Sequence, residues 1–476
     1  MAVYGVWTEV IFWVALALYA VLVISTATVI VLENRQPAKT IAWLVVIMLL
    51  PGAGLIFFYF FGQDLRKKYK LIRKNYDHIV RSMRGKASPE ISADTVPDYA
   101  PLIQLLHNNG GEPLTAHNSV EVLDCGRAYF LSLLQSILQA KHSIHIETYI
   151  IEEDPIGNLI ADALIDKARS GVEVRLLYDD VGCWKVPDRF FKRMMEAGVA
   201  IGAFLPVRFP RLTRRVNNRN HRKICVIDGS VGFIGGMNIA LRYATDQWKD
   251  MQLRIEGDAV GQLQRIFLGD WYFTTGQLYS GAPYFPDVVA GSAPTLPVQV
   301  AATSPLSRYP SIMYSFTWLL QNARRYIYLQ TPYFMPSEPV LQALQTAAMM
   351  GVDVRLMLPE KPDAFWLRWA NECYFTDVLR AGVKVLLYRG GFLHAKVLVC
   401  DDTCCSVGSS NMDFRSFEDN MEANAFIYDA RLALEVKAVF LRDAERCEVI
   451  DPERWKRRAL WRKYFESHTR ILSPLL

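Results

Sequence analysis

What this chain lacks narrows its chemistry first. Its 476 residues contain no Gly-x-x-x-x-Gly-Lys-Ser/Thr phosphate loop, no His-Glu-x-x-His pair and no dinucleotide fingerprint. No metal, no nucleotide and no other cofactor is therefore expected. Cysteine is sparse and scattered, at Cys125, Cys183, Cys225, Cys373, Cys400, Cys404, Cys405 and Cys447. No pair has zinc-finger spacing with a nearby His, and the density is not that of a disulfide scaffold. These residues read as small buried hydrophobes in a reducing compartment. A strong charge bias is also missing. The net charge of +5 is mild for the length. It suits an anionic lipid surface as well as nucleic acid and does not separate them.

Charge is missing locally too, and there the absence carries information. Val10 to Leu32 runs 23 residues without a charged side chain, and Thr40 to Phe61 runs 22. At about 1.5 Å per residue the first covers the roughly 30 Å hydrocarbon core. Pro51-Gly52-Ala53-Gly54 interrupts the second, which can be kinked or partly re-entrant. A cleavable signal peptide fits poorly. No basic residue precedes the first run, the run is too long, and a second follows at once. The expectation is a membrane hairpin over residues 1–62, with spans at about 10–32 and 40–61. Arg35 and Lys39 lie between the runs; Arg66, Lys67, Lys68, Lys70, Arg73 and Lys74 follow them. That asymmetry places the post-hairpin side, and with it the N-terminus, in the cytoplasm. The basic cluster can also dock on anionic headgroups.

Residues 63–101 read as a basic juxtamembrane segment and linker, since Gly85 to Pro101 is rich in small, polar and Pro residues. A duplication follows. Ile144 to Tyr149 and Ile327 to Tyr333 are strand patterns, each preceded by a helical stretch, Arg127–Ala140 and Pro310–Asn322. Each is followed by a further helix and then by near-identical strands, Gly171 to Leu177 and Gly351 to Met357. Ala197-Gly198-Val199 and Ala381-Gly382-Val383 form another matched pair. Strands alternating with helices imply α/β layers. Two halves are expected, 102–285 and 286–476, joined by the Pro- and Ala-rich stretch from about Tyr284 to Pro297.

Each half then reaches the same spaced polar set. His221, Lys223, Asp228, Gly235-Gly236 and Asn238 are matched by His394, Lys396, Asp401, Gly408-Ser409 and Asn411. The His-x-Lys tripeptides lie in apolar runs with strand character, so His and Lys share one face. With the run from Gly408 to Phe417, then Asn420 and Glu422, the chain resembles the phospholipase D superfamily. It is similar, more closely, to the bacterial cardiolipin synthases within it. The resemblance covers most of the chain.

That resemblance implies an α/β fold of two pseudo-symmetric phospholipase D-like repeats with the active site at their interface, behind an N-terminal transmembrane helical hairpin. It implies catalysis by His221, Lys223 and Asp228 with His394, Lys396 and Asp401. His221 is expected to attack phosphorus, and His394 to act as acid and then base. The two Lys and the amides of Asn238 and Asn411 are expected to hold the non-bridging oxygens. Asp228 and Asp401 are expected to orient a catalytic His, or else to be turn residues. Gly236 and Ser409 are expected to let backbone approach the phosphate. Glu422 occupies a position that is often acidic in the family. Asp250 is its candidate counterpart, although the spacings from Asn, 12 and 11, differ.

Arg208, Arg211, Arg214, Arg215, Arg219 and Arg222 suggest an anionic-headgroup surface at the mouth of the site. The Trp- and Arg-rich stretch from Trp455 to Lys463 reads either as an interfacial helix or as one docked on the domain. The expected reaction moves a phosphatidyl group from one phosphatidylglycerol to another, giving cardiolipin and glycerol. The expected location is the bacterial inner membrane, multi-pass, with the catalytic part cytoplasmic and no nucleic acid as partner. A phospholipase D-type hydrolase or transfer to another alcohol is the first alternative. A membrane scaffold or nucleic-acid binder with inactive repeats is the second.

Overall fold

The structure, a computed structural model, describes residues 2–32, 37–50, 52–62, 91–109, 111–207, 218–245, 247–286 and 295–473. The first apolar run is one helix, α1 (Ala2–Leu32). Among the described residues, its Trp7–Leu32 stretch is the one helix long and apolar enough to cross a membrane. The second run is two helices, α2 (Pro37–Leu49) and α3 (Ala53–Phe61). The break falls at Gly52, whose φ of 79° suits glycine. Ile30, Trp43, Ile47 and Phe58 bury one another where the three helices meet.

The two halves share a matched set of seven strands each in one sheet, and the second half adds an edge strand, Cys447–Val449, beside Lys384–Tyr388. The first half holds β1 (Thr115–Leu123), β2 (Ser143–Thr148), β3 (Glu173–Asp179), β4 (Ala200–Phe204), β5 (Ile224–Ile227), β6 (Val231–Gly235) and β7 (Gln252–Gly257). The second half repeats them as β8 (Thr295–Thr303), β9 (Tyr326–Gln330), β10 (Asp353–Pro359), β11 (Lys384–Tyr388), β12 (Val397–Cys400), β13 (Cys404–Gly408) and β14 (Glu422–Ile427). The first half runs β1-β7-β6-β5-β2-β3-β4, and the second runs β8-β14-β13-β12-β9-β10-β11 in the same pattern. The two meet along the antiparallel pair β1–β8, with Thr115 opposite Val298.

Parallel pairs β2–β3 and β9–β10 are joined by the helices Pro155–Arg169 and Glu338–Met349. Each helix ends just before a glycine in the left-handed region, Gly171 (φ 90°) and Gly351 (φ 91°). The strands therefore start two residues later than their sequence patterns, at Glu173 and Asp353.

The halves share one core. Val226 and Ile255 from the first pack in the same cluster as Val298, Val399 and Ala425 from the second. Helix Ala100–Asn108 opens the 102–285 segment in chain order, yet its Leu102, Ile103 and Leu106 pack with Phe316 and Leu320 of the second half. Buried Arg265 of helix Asp258–Thr275 reaches Glu112 at 2.6 Å. The C-terminal helix Leu460–Leu472 docks one face on helix Phe365–Ala381, with Arg470 2.6 Å from Asp377. Its other face leaves Leu460, Trp461, Tyr464 and Phe465 exposed. All eight cysteines are free; six are buried, and Cys125 and Cys447 are half-buried.

Candidate active site

The two His-x-Lys tripeptides lie extended at the entrance to β5 and β12, and each is laid against the opposite half. The His221 amide donates to the Met421 carbonyl at 3.0 Å, and the His394 amide to the Lys249 carbonyl at 2.7 Å. These contacts set each His beside the residue after its backbone partner. His221 Nδ1 lies 3.1 Å from Glu422, and His394 Nδ1 lies 2.6 Å from Asp250. Each histidine thus takes its carboxylate from the other repeat. Asp250 and Glu422 are structural counterparts despite their unequal spacing from Asn238 and Asn411.

Gly236 and Ser409 account for the one-carbon difference between those carboxylates. A Cβ on Gly236 would sit 2.2 Å from Asp250 Oδ1. At the matching place, the Ser409 hydroxyl donates to Glu422. The two glycine/serine positions therefore set the carboxylates, a role distinct from the expected approach of backbone to phosphate.

The site is dry. His221, His394, Lys223, Lys396, Asn238 and Asn411 are all buried. Burial of Glu422 would raise its pKa, but His221, Lys223 and the Ser409 hydroxyl outweigh it and hold the carboxyl below its usual range. Asp250 has no such hydroxyl. Burial pushes it up to about 7, only partly opposed by Lys396 and the Met251 amide. Burial lowers Lys223 to about 7 and Lys396 to about 8. Burial also lowers His221 to about 4, and it takes His394 well below the usual imidazole range with the help of Lys396 and Lys223. Both rings are neutral in the unliganded site.

Asn238 and Asn411 are not equivalent. The Asn238 amide donates to the Tyr243 hydroxyl at 2.7 Å and accepts from the Ile150 amide at 3.0 Å. Asn411 Oδ1 is buried with no hydrogen-bond partner among the described residues. Aromatic walls complete the site. Tyr149 lies 5.0 Å from the His221 ring, and Trp248 lies 5.1 Å from the His394 ring. Tyr243 is 3.4 Å from His394 Nδ1. Sequence reading missed these three aromatics. Tyr149 and Trp248 do stand beside residues singled out there, at the end of the β2 pattern and two before Asp250.

Asp228 and Asp401 are placed elsewhere, which corrects the expectation that they orient a histidine. Asp228 accepts from the amides of Lys141, His142 and Ser143 at 2.7–2.9 Å. Asp401 does the same for Arg324, Arg325 and Tyr326. Each clamps the turn that starts β2 or β9, at the far end of its strand. Asp228→Ala should destabilise the protein by about 2–3 kcal/mol, because charge-assisted amide bonds are lost. The activity of the folded fraction should be unchanged. Thermal melting paired with active-site titration checks this, and a normal melting temperature with lost turnover would contradict it.

The arginine surface is also revised in part. Arg219 is buried 3.3 Å from Asp179. Arg222 is buried on Asp270 and donates to the carbonyls of Glu422 (3.1 Å) and Thr303 (2.8 Å). Neither can meet a headgroup at the surface. Arg208, Arg211, Arg214 and Arg215 lie outside the described residues, as does the basic cluster from Arg66 to Lys74. Among the described residues, no three His, Cys, Asp or Glu side chains converge as a metal site requires.

Two repeats that pool one His-Lys pair each into a single buried site define the phospholipase D-like class. A family model described as "Cardiolipin synthase, PLD-like domain" matches residues 133–271 and 317–444, and one described as "Phospholipase_D-nuclease N-terminal" matches residues 15–63. The cardiolipin synthase of Geobacillus kaustophilus is 39% identical over 475 residues, covering 97% of this chain and 94% of that protein. The cardiolipin synthase of Staphylococcus aureus is 37% identical over 464 residues, covering 94% of each. A crystal structure of phosphatidylserine synthase from Haemophilus influenzae shares the fold. Its TM-score is 0.61 at 15% identity, with 79% of this chain and all of that one covered. The chain belongs to the cardiolipin synthase family of phospholipase D-like proteins.

Proposed function

We propose that this chain is a membrane phosphatidyltransferase that joins two phosphatidylglycerol molecules into cardiolipin and releases glycerol. The observation that carries the mechanism is the unequal state of the two His–carboxylate pairs. Ionised Glu422 accepts from Nδ1–H of His221, which leaves the Nε2 lone pair free to attack. Asp250 keeps its proton up to about pH 7 and donates it to Nδ1 of His394. That leaves Nε2–H of His394 as a donor.

His221 Nε2 then bonds to phosphorus as the bond from phosphorus to the glycerol oxygen breaks. His394 gives its Nε2 proton to the departing glycerol as the Asp250 proton moves onto Nδ1, so the ring stays neutral and Asp250 becomes the anion. In the return step a hydroxyl of the second phosphatidylglycerol gives its proton to His394 Nε2 and displaces His221 from phosphorus, while the Nδ1 proton goes back to Asp250. One phosphodiester replaces another, so no external energy source is needed. The buried Asn411 carbonyl oxygen can accept from the other hydroxyl of the incoming glycerol headgroup, and Lys223 and Lys396 hold the non-bridging oxygens. The protein acts at the bacterial inner membrane, with the catalytic region on the cytoplasmic side.

The test is mass spectrometry of products from purified, reconstituted protein given phosphatidylglycerol alone. Cardiolipin with equimolar glycerol is the expected result. Phosphatidic acid without cardiolipin would make it a hydrolase.

The lysines also set a pH dependence. They bind phosphate only when protonated, and burial has moved them to about 7 and 8. The kcat/KM for phosphatidylglycerol should therefore fall as pH rises through 7 to 8. Most of the loss should appear in KM, since bound phosphate itself favours the charged lysines. A profile flat to pH 10 would refute this.

A further inference from the structure

The second apolar run is not built as a span. At about 1.5 Å per residue, α2 reaches about 20 Å and α3 about 14 Å, each short of a roughly 30 Å hydrocarbon core. They fold back on one another. Trp43, midway along α2, meets Phe58, just past the middle of α3, with ring centroids 5.4 Å apart. A Cβ on Gly54 would lie 2.7 Å from the Val46 carbonyl oxygen, so glycine permits the approach. Met48 and Leu49 stand at the tip, 78% and 72% exposed.

The base of this pair is fixed to the catalytic region. Lys39 Nζ lies 2.8 Å from Glu418 and 3.2 Å from Asp419. Asp419 stands three residues before Glu422, and its carbonyl accepts from Asn218, three residues before His221. The start of α2 therefore sits on the rim of the active site. Because the helices are antiparallel, the end of α3 returns to the same side.

We propose that α2 and α3 form a re-entrant wedge, entering the leaflet that faces the catalytic region and returning to it, so that α1 alone crosses the bilayer. The proposal rests on the reading of this chain as a membrane enzyme. It puts the N-terminus on the side opposite the catalytic region, where the sequence alone had placed both together. The charges agree. Arg35 and Lys39 join Arg66, Lys67, Lys68, Lys70, Arg73 and Lys74 on one side, and residues 1–9 carry no Lys or Arg. In the two-span arrangement, Arg35 and Lys39 are stranded outside.

Two further surfaces fit lipid as the wedge's partner. Helix Leu460–Leu472 touches α2 and leaves Leu460, Trp461, Tyr464, Phe465 and Ile471 exposed on a helical stripe, next to Lys463. That is the composition of an interfacial helix. Between α1 and α3 runs a cleft of about 550 Å³ lined by Leu22, Val29, Leu55, Ile56, Phe58 and Tyr59. The hydroxyls of Ser25 and Thr26, which also border it, are turned onto the Leu22 carbonyl, so the lining is apolar and suits an acyl chain.

The test is labelling by a membrane-impermeant maleimide in right-side-out and inverted vesicles of full-length protein. Half-buried Cys125 and Cys447 are first replaced by Ser. Single cysteines are then placed at Ala2→Cys, Pro37→Cys and, as a marker of the catalytic side, Ser170→Cys. Expected is labelling of Pro37→Cys in the same vesicles as Ser170→Cys, and of Ala2→Cys in the others. Pro37→Cys labelling opposite to Ser170→Cys would overturn the wedge. So would its labelling only in detergent, since the turn would then lie within the bilayer. Cardiolipin formation is measured in the same vesicles. A wrong labelling pattern with intact synthesis sinks the wedge alone, whereas no synthesis by the parent protein sinks the proposed function.

Discussion

Glu422→Gln should lower kcat by on the order of 10⁴-fold, the scale on which a wrong histidine tautomer silences a nucleophile–base pair. The amide can donate to Nδ1 of His221 and drive the proton to Nε2, the nitrogen that must attack. The mirror change, Asp250→Asn, should cost on the order of 10²-fold, the lower scale of general acid–base catalysis. Asp250 donates to Nδ1 of His394 near neutral pH, and an amide keeps that bond and the ring's tautomer but cannot pass a proton on to it. Quenching into alkaline denaturant after mixing with phosphatidylglycerol should trap phosphohistidine on His221 in Asp250→Asn but not in Glu422→Gln. Equal losses in the two variants, or a phosphoryl group on His394, would reverse the assignment of nucleophile and acid.

Arg222→Ala should be the most destabilising single change near the site, by about 3–5 kcal/mol, the cost of stripping one partner from a buried ion pair. Asp270 is fully buried and would be left without its guanidinium. Glu147 lies beside it. Burial and then Asp270 push that carboxyl well above the usual range, opposed first by Arg222 and then by the Asn220 amide. The carbonyls of Glu422 and Thr303 would lose their donors as well. The measurement is the unfolding midpoint of the solubilised protein. A shift of under about 1 °C would mean the pair contributes nothing. The double variant Arg222→Met with Asp270→Leu should recover much of the loss, because an apolar pair of similar volume leaves no unpaired charge.

The repeat was legible in the sequence because both halves kept their strand and helix patterns at matched intervals. His221, His394 and their lysines were legible because the short His-x-Lys spacing on an extended chain carries both side chains to one face. Asp228 and Asp401 were open to two readings, histidine partner or turn residue, and their hydrogen bonds support the second. Seven residues of extended chain, at about 3.3 Å each, carry an aspartate some 20 Å from its histidine, which is the opposite end of a strand. The carboxylates that do meet the histidines come from about 150 and 200 residues away in sequence. Their pairing depends on how the halves dock, and no local pattern records docking. Arg222 was misread for a related reason. A basic residue beside a loop of arginines reads as surface until the partner, Asp270, arrives from a helix 48 residues on.

The crossed histidine–carboxylate pairs have a genetic consequence. A substitution at Glu422 is felt by the histidine of the first repeat, and one at Asp250 by the histidine of the second. Neither copy of the duplicated unit is therefore free to decay while the other carries on. A damaged carboxylate can be compensated only by a change in the opposite copy or at the residue that holds it, Ser409 or Gly236. The duplication that built the enzyme gave it no spare part, and its two halves are bound to evolve as one.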